Sequence, residues 1–429
     1  MNALQTAGLI AADKKHLWHP FTQMGDWCAA EHEPLVLVEG RGALVRDSEG
    51  REYIDGNSSI WTNIHGHNHP KINAAIRAQL DSVAHTSFLG FTNPPAIQLA
   101  CELVKLFPSG LLTRVFYSDD GSTAIEVAIK MAAQYWQLAG EPRRRNFVAF
   151  SNAYHGDTTG AASLGGVKIF HERFAAWQFP ARHIGGVEEL DSLDAGEIAA
   201  VVIEPLIQGS AGMRLWPRGM LSELRRWCDD NGVLLIADEV MTGFGRTGTM
   251  FACEQENVSA DFVAMAKGLT AGYMPLAATL TTEKIFDAFL GDYASQKTFY
   301  YGHSYTANQL GCAAALASLE VFREGNVLPD LQRKIALLSG LLAALPCQPH
   351  VADVRQCGFI AGIDIAEAPG KPYDVNLQMG AHVCAAARKH GLITRPIRDT
   401  VVLMPPYCIE DAQLSRAVDA VSLAIQETC

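Results

Sequence analysis

The sequence predicts an α/β fold: a large, mainly parallel sheet covered by helices, with a smaller α+β part contributed by both termini. Three observations carry this. Between about residues 110 and 310, short apolar runs alternate with amphipathic stretches of helical period. Three of those runs stop beside charge: Ala199–Ile203 before Glu204, Val233–Ala237 before Asp238-Glu239, and a third that ends on Lys267. The terminal segments instead alternate apolar and polar residues, as antiparallel strands do. The boundaries predicted are 1–60 and 325–429 for the two pieces of the smaller part and 61–324 for the larger domain.

In chain order, HLWHPFTQM (His16–Met24) is aromatic and broken by proline, which suits an ordered loop. LVLVEGRGALVRDSEGREYIDG reads as strands joined by turns. His65, His67 and His69 alternate, but no further ligand lies at metal spacing, so no metal site is expected. Residues 71–107 read as two amphipathic helices broken at HTSFLGFTNPP. Arg114–Tyr117 is a strand that runs through SDDGS into a long helix, with Thr123 and Glu126 at capping-box spacing. The arginine run 143–145 suits a solvated loop after that helix. Pro275–Thr282 is a strand, and a helix starts near Asn308. VADVRQCGFIAGIDI is an antiparallel pair. Leu377–His390 is a helix, GLITRPIRDTVVLMPPY returns to strand, and a last helix reaches Cys429.

Composition narrows the function classes. The chain has 429 residues, 48% of them hydrophobic, with a net charge of −12. That charge argues against nucleic acid and against docking on anionic membranes. The ten cysteines form no CxxC pair, so reduced thiols in cytoplasm fit better than disulfides or zinc. No apolar run is long enough to span a bilayer, and MNALQTAGLIAADKKHLW lacks a signal-peptide pattern.

The strand ends carry the candidate chemistry. A lysine among Met265, Ala266 and Leu269 can have a lowered pKa and act as an amine nucleophile. Taken alone, Lys267 suits a loop-capping charge better than a nucleophile. Asp238 suits either a solvated strand end or a carboxylate facing a protonated ring nitrogen. Gly121 and Ser122 open a helix, where backbone N–H groups suit a phosphate. Tyr154 lies on a loop with His155, and its ring suits stacking on a flat ligand.

DEVMTGFGRTG followed by AKG resembles the class III aminotransferases of fold-type I, which use pyridoxal 5′-phosphate. The resemblance implies a large sheet of seven strands. It makes Lys267 and Asp238 catalytic, and assigns Gly121, Ser122, Tyr154, His155, Val240 and Ser304 to the cofactor with them. Ser304, in GHSYT, would reach the partner subunit's phosphate, so a homodimer is implied. Substrate contacts fall to Phe21, Ile60, Trp61, Tyr154, Arg246, Gly302 and Arg395, with Arg395 as a carboxylate clamp. Glu204 would pair with Arg246, whose planar fork suits carboxylate exchange. HLWHPFTQM, IHGHNHP, NAYHGDT and LMPPY resemble the branch that aminates 8-amino-7-oxononanoate to 7,8-diaminononanoate in biotin biosynthesis. Members that use S-adenosylmethionine carry tyrosine at the position of Phe21 and tryptophan at that of Ile60. The residues found here lean to L-lysine as donor. A broader ω-amino acid or diamine aminotransferase and a cofactor-binding regulator are the alternatives.

Overall fold

The computed structural model describes residues 3–429, so the first two residues of the N-terminal stretch lie outside the described ones. Seven strands form the central sheet, in the order Arg114–Ser118, Ala277–Thr281, Phe262–Met265, Leu234–Asp238, Ile198–Ile203, Asn146–Phe150, Ala181–Ile184. Only Ala277–Thr281 runs against the rest. The central strands are buried along their whole length. Strands covered on both faces read as continuous apolar runs, which is why these segments show no alternation.

Alternation is present, but between two cores. Leu235, Ala237, Val263 and Met265 join one cluster with Leu221 and Leu224 of the helix Met220–Asn231. Leu234, Ile236 and Ala264 join another with Ala124, Ile125 and Ala128 of the helix Gly121–Leu138. The same period of two sends Asp238 and Glu239 to opposite faces. Glu239 accepts the Ala252 and Cys253 N–H groups (3.1 and 2.9 Å) and the Thr242 hydroxyl, so it fixes a turn. Asp238 falls on the face of the helix Gly121–Leu138.

Two four-stranded sheets stand beside the central one. Leu37–Arg41, Leu44–Asp47 and Glu52–Asp55 form an antiparallel set, and Leu392–Ile393 adds to it in parallel. Val351–Cys357, Ile360–Ile365, Thr400–Leu403 and Pro396–Ile397 form the other. Among the described residues, no helix is long and apolar enough to cross a membrane.

Several local expectations need correction. The long helix is capped by Asp120, whose carboxylate takes the Thr123 N–H (2.9 Å), while Thr123 Oγ1 takes the Asp120 N–H. Glu126 instead accepts the Gly160 N–H (2.5 Å), so it serves a neighbouring turn. Arg144 is not a solvated loop charge. It lies over the Trp136 ring at 4.6 Å and donates to the Ala195 carbonyl. A helix at Ala3–His16, unsignalled in the sequence, precedes the aromatic loop. The three alternating histidines part company: His65 meets Ser318 (3.1 Å), His67 meets Asp55 (2.8 Å), and the His69 N–H donates to Tyr273.

Candidate active site

Six parallel strands end on one side of the sheet, and a cavity of about 410 Å³ opens there. Its lining takes Gly121 and Ser122 from the helix start, Tyr154 and His155 from one loop, and Asp238, Val240 and Lys267 from strand ends. Sequence neighbours did not assemble this set; the shared direction of the strands did.

Asp238 is the fixed point. One of its oxygens lies 2.7 Å from His155 Nδ1, and the other accepts the Val240 N–H at 3.1 Å. The His155 side chain is wholly buried. Tyr154 donates its hydroxyl to Asp157 (2.6 Å); burial and this carboxylate raise the phenol pKa. Gly121 passes so close to Val240 that a Cβ there would lie 2.6 Å from its Cγ1. Gly156, at φ +122°, passes so close to Ser122 that a Cβ would stand 2.1 Å from its hydroxyl.

Lys267 directly follows Ala266 with φ +44°, a strained left-handed backbone for a side chain of this size. Its amine is 4.8 Å from the Trp61 ring centre. Burial pushes its pKa down to about 8, helped by Arg246 and opposed by Asp238 and Glu204. Glu204 is pushed up to about 7, chiefly by burial.

The expected Glu204–Arg246 pair does not form. Glu204 is satisfied by the Tyr154 and Gly209 N–H groups (3.0 and 2.9 Å). Arg246, 1% exposed, donates to the Pro405 carbonyl (2.9 Å) and lies over Tyr407. It lines neither this cavity nor the next. Residues 404–405 return to this spot from far along the chain, and their carbonyls take the guanidinium in place of Glu204.

A second cavity, about 790 Å³, shares Trp61, Tyr154, Ser210 and Lys267 with the first. Phe21, Ile60 and Arg395 line it, with Phe170. Lys168 and Arg398 add positive charge to its wall, and among the described residues no carboxylate lines it. The spatial signal for Lys168, Phe170 and Arg398 was absent from the sequence, since the first two lie on the one-turn helix Lys168–His171 and the third in a turn, none of them marked by a motif. Gly302 and Ser304 line neither cavity of this chain. Their loop is held by His303 to Asp119 (3.0 Å) and by the Ser304 carbonyl to His85 (2.8 Å).

Comparison with known proteins decides the family. The class-III aminotransferase family model matches residues 28–425. The chain belongs to the class-III aminotransferases. This aminotransferase is 46% identical to the adenosylmethionine-8-amino-7-oxononanoate aminotransferase of Geobacter sulfurreducens, over 96% of each chain. It is 49% identical to the protein of that name from Nitratidesulfovibrio vulgaris, over 99% of this chain and 82% of the relative. Among solved structures, the Methanocaldococcus jannaschii protein of that name superposes with a TM-score of 0.95 at 41% identity, covering 98% and 99% of the two chains. A PLP-bound amine transaminase from an uncultivated Pseudomonas species gives 0.91 at 32% identity, covering 96% and 99%.

The aminotransferase depends on pyridoxal phosphate, as its family does. The residues present fit that group. The cavity offers a buried lysine amine, a carboxylate fixed by two hydrogen bonds, an aromatic ring and a helix start that only glycine can line beside Val240.

Proposed function

We propose that this aminotransferase converts 8-amino-7-oxononanoate to 7,8-diaminononanoate in biotin biosynthesis, with L-lysine as the amino donor. One observation carries the acceptor. Lys267 stands where the two cavities join, and the outer cavity runs past Phe21, Ile60 and Phe170 among the cations Arg395, Arg398 and Lys168. A keto acid with a long apolar chain needs an apolar channel and a cation at its far end. Relatives that carry 8-amino-7-oxononanoate in their names match nearly the whole chain. For the donor, Phe21 and Ile60 favour L-lysine, although those relatives also carry adenosylmethionine in their names.

The cofactor supplies the electron sink on its ring; the protein supplies orientation and proton traffic. In this reading Asp238, held by His155 and Val240, keeps a proton on the ring nitrogen. Lys267 Nζ, with a pKa lowered toward neutrality, would take the proton from the donor carbon and return it. Gly121 and Ser122 would hold the phosphate with helix N–H groups. Tyr154 would stack on the ring. Trp61 and Ile60 bound the substrate, and Arg395 takes its carboxylate. Arg246 would join them only by leaving its carbonyl partners. The partner subunit's cavity receives Gly302 and Ser304, which makes the working unit a homodimer.

The test is a half-reaction. Purified enzyme is mixed with L-lysine and, separately, with S-adenosylmethionine, and the cofactor's absorbance band is followed. Loss of the band with lysine alone supports the donor reading and ties it to Phe21 and Ile60. Loss with S-adenosylmethionine alone overturns the donor and keeps the acceptor. A band unmoved by either, yet discharged by simple ω-amines, would replace the whole reading with a general ω-aminotransferase.

A further inference from the structure

Trp61 touches both cavities and faces the Lys267 amine, yet its backbone is improbable. Ser58, Ser59 and Trp61 have φ of +47°, +62° and +66°. None of them is glycine, and each such residue costs about 1–3 kcal/mol unless its surroundings hold it. What holds this turn is Asp55. Its carboxylate is 4% exposed as a residue and accepts the Ser59 N–H at 2.9 and 2.8 Å, and the Asn57 N–H at 3.3 Å. His67 Nε2 closes the set at 2.8 Å from the same carboxylate. Asn57 in turn accepts the Trp61 indole N–H at 2.8 Å.

Both ends of this brace are rigid. Asp55 ends the strand Glu52–Asp55, which is paired on both sides, with Leu44–Asp47 and with Leu392–Ile393. The His67 backbone exchanges two hydrogen bonds with Gly42 (2.8 and 3.0 Å). Ser58 Oγ donates to the Met404 carbonyl (2.7 Å). The turn is thus tied to the smaller sheets, while Lys267 follows a strand of the central sheet. A carboxylate that accepts several N–H groups makes charge-assisted bonds, stronger than neutral ones.

We propose that Asp55, oriented by His67, is a positioning residue: it holds the strained turn that presses the Trp61 ring against Lys267 and sets the wall between the two cavities. It touches no substrate and acts through Trp61. This gives the His67 of the alternating histidine motif a task that metal binding did not supply.

The test is a double-mutant cycle of Asp55→Ala with Trp61→Ala, because residues that act as one unit do not add. The first readout uses apoenzyme. A brief acylation pulse at a series of pH values, followed by mass spectrometry of the Lys267 peptide, gives the midpoint of that amine's titration. The groups that set this midpoint besides burial are Asp238, Glu204 and Arg246, and the cycle leaves them in place. The expected result is an upward shift of about one unit in each single variant, and no further shift in the double variant. This readout involves no substrate, so it stands whichever amine the enzyme takes. The second readout is the half-reaction of the holoenzyme with 7,8-diaminononanoate. Each single variant should slow it at least about tenfold, with the double no slower than Trp61→Ala. His67→Leu should follow Asp55→Ala, and His67→Gln, which still offers an N–H, should restore most of the rate; these two serve if Asp55→Ala does not fold. An unmoved Lys267 midpoint in Asp55→Ala and His67→Leu, or shifts that sum in the double variant, would overturn the proposal.

Discussion

Lys267 combines three properties that ordinary core residues avoid: a buried amine, a left-handed backbone and an aromatic face across from it. Its depressed pKa is a statement about stability as well as chemistry. Below about pH 8 the amine is charged in both the folded and unfolded states, and the fold bears the burial cost. Between about 8 and the ordinary value of 10.5 the folded state binds fewer protons, so wild-type apoenzyme gains stability as pH rises. Lys267→Met should therefore raise the apoenzyme's melting temperature at pH 7, with an advantage that shrinks toward pH 10. Thermal unfolding at the two pH values checks this, and a constant advantage would contradict it. The same position was legible in the sequence because a lysine ended an apolar run. The partners of Glu204 and Arg246 were not legible. Glu204 is met by N–H groups that only the folded loops bring near, and Arg246 by carbonyls of residues 404–405.

The helix Gly121–Leu138 and the strand Leu234–Asp238 bring the phosphate end and the ring end of the proposed site together. Gly121→Ala would set a methyl 2.6 Å from Val240 Cγ1, so either the helix start or Val240 must shift. The expected outcome is a loss of pyridoxal phosphate affinity of about tenfold (roughly 1.4 kcal/mol), with unfolding temperature little changed. Equilibrium titration of apoenzyme with the cofactor reads this directly; unchanged affinity would remove Gly121 from the site. Strands and helices at this scale were largely readable, because continuous apolar runs and helical period are strong signals. The cap was misassigned to Thr123 because Thr-x-x-Glu and Asp-x-x-Thr overlap in SDDGSTAIE, and only the geometry shows which pair closes. The helix Ala3–His16 escaped notice because its apolar residues are spread around it, and Leu4 and Leu9 remain exposed.

At the scale of the molecule, the function depends on segments that sequence order keeps far apart. Phe21, Ile60, Phe170 and Arg395 line one cavity, though they come from four separate stretches. The pairing of Leu392–Ile393 with Ile54–Asp55 helps bring the two ends together, and two residues carry too little pattern to announce it. Arg395→Gln should raise the KM for 8-amino-7-oxononanoate by about tenfold (a charged hydrogen bond lost, partly screened by water). Turnover of an uncharged amine should hardly change, and a kinetic comparison of the two substrates tests this. The most direct test of the account is product formation. Enzyme loaded with pyridoxal phosphate is incubated with 8-amino-7-oxononanoate and L-lysine, and 7,8-diaminononanoate is measured by mass spectrometry, with Lys267→Ala as control. Wild type should form the product, and the variant should form it at a rate at least about 10³-fold lower. No product from 8-amino-7-oxononanoate with either L-lysine or S-adenosylmethionine, from enzyme that aminates pyruvate readily, would contradict it.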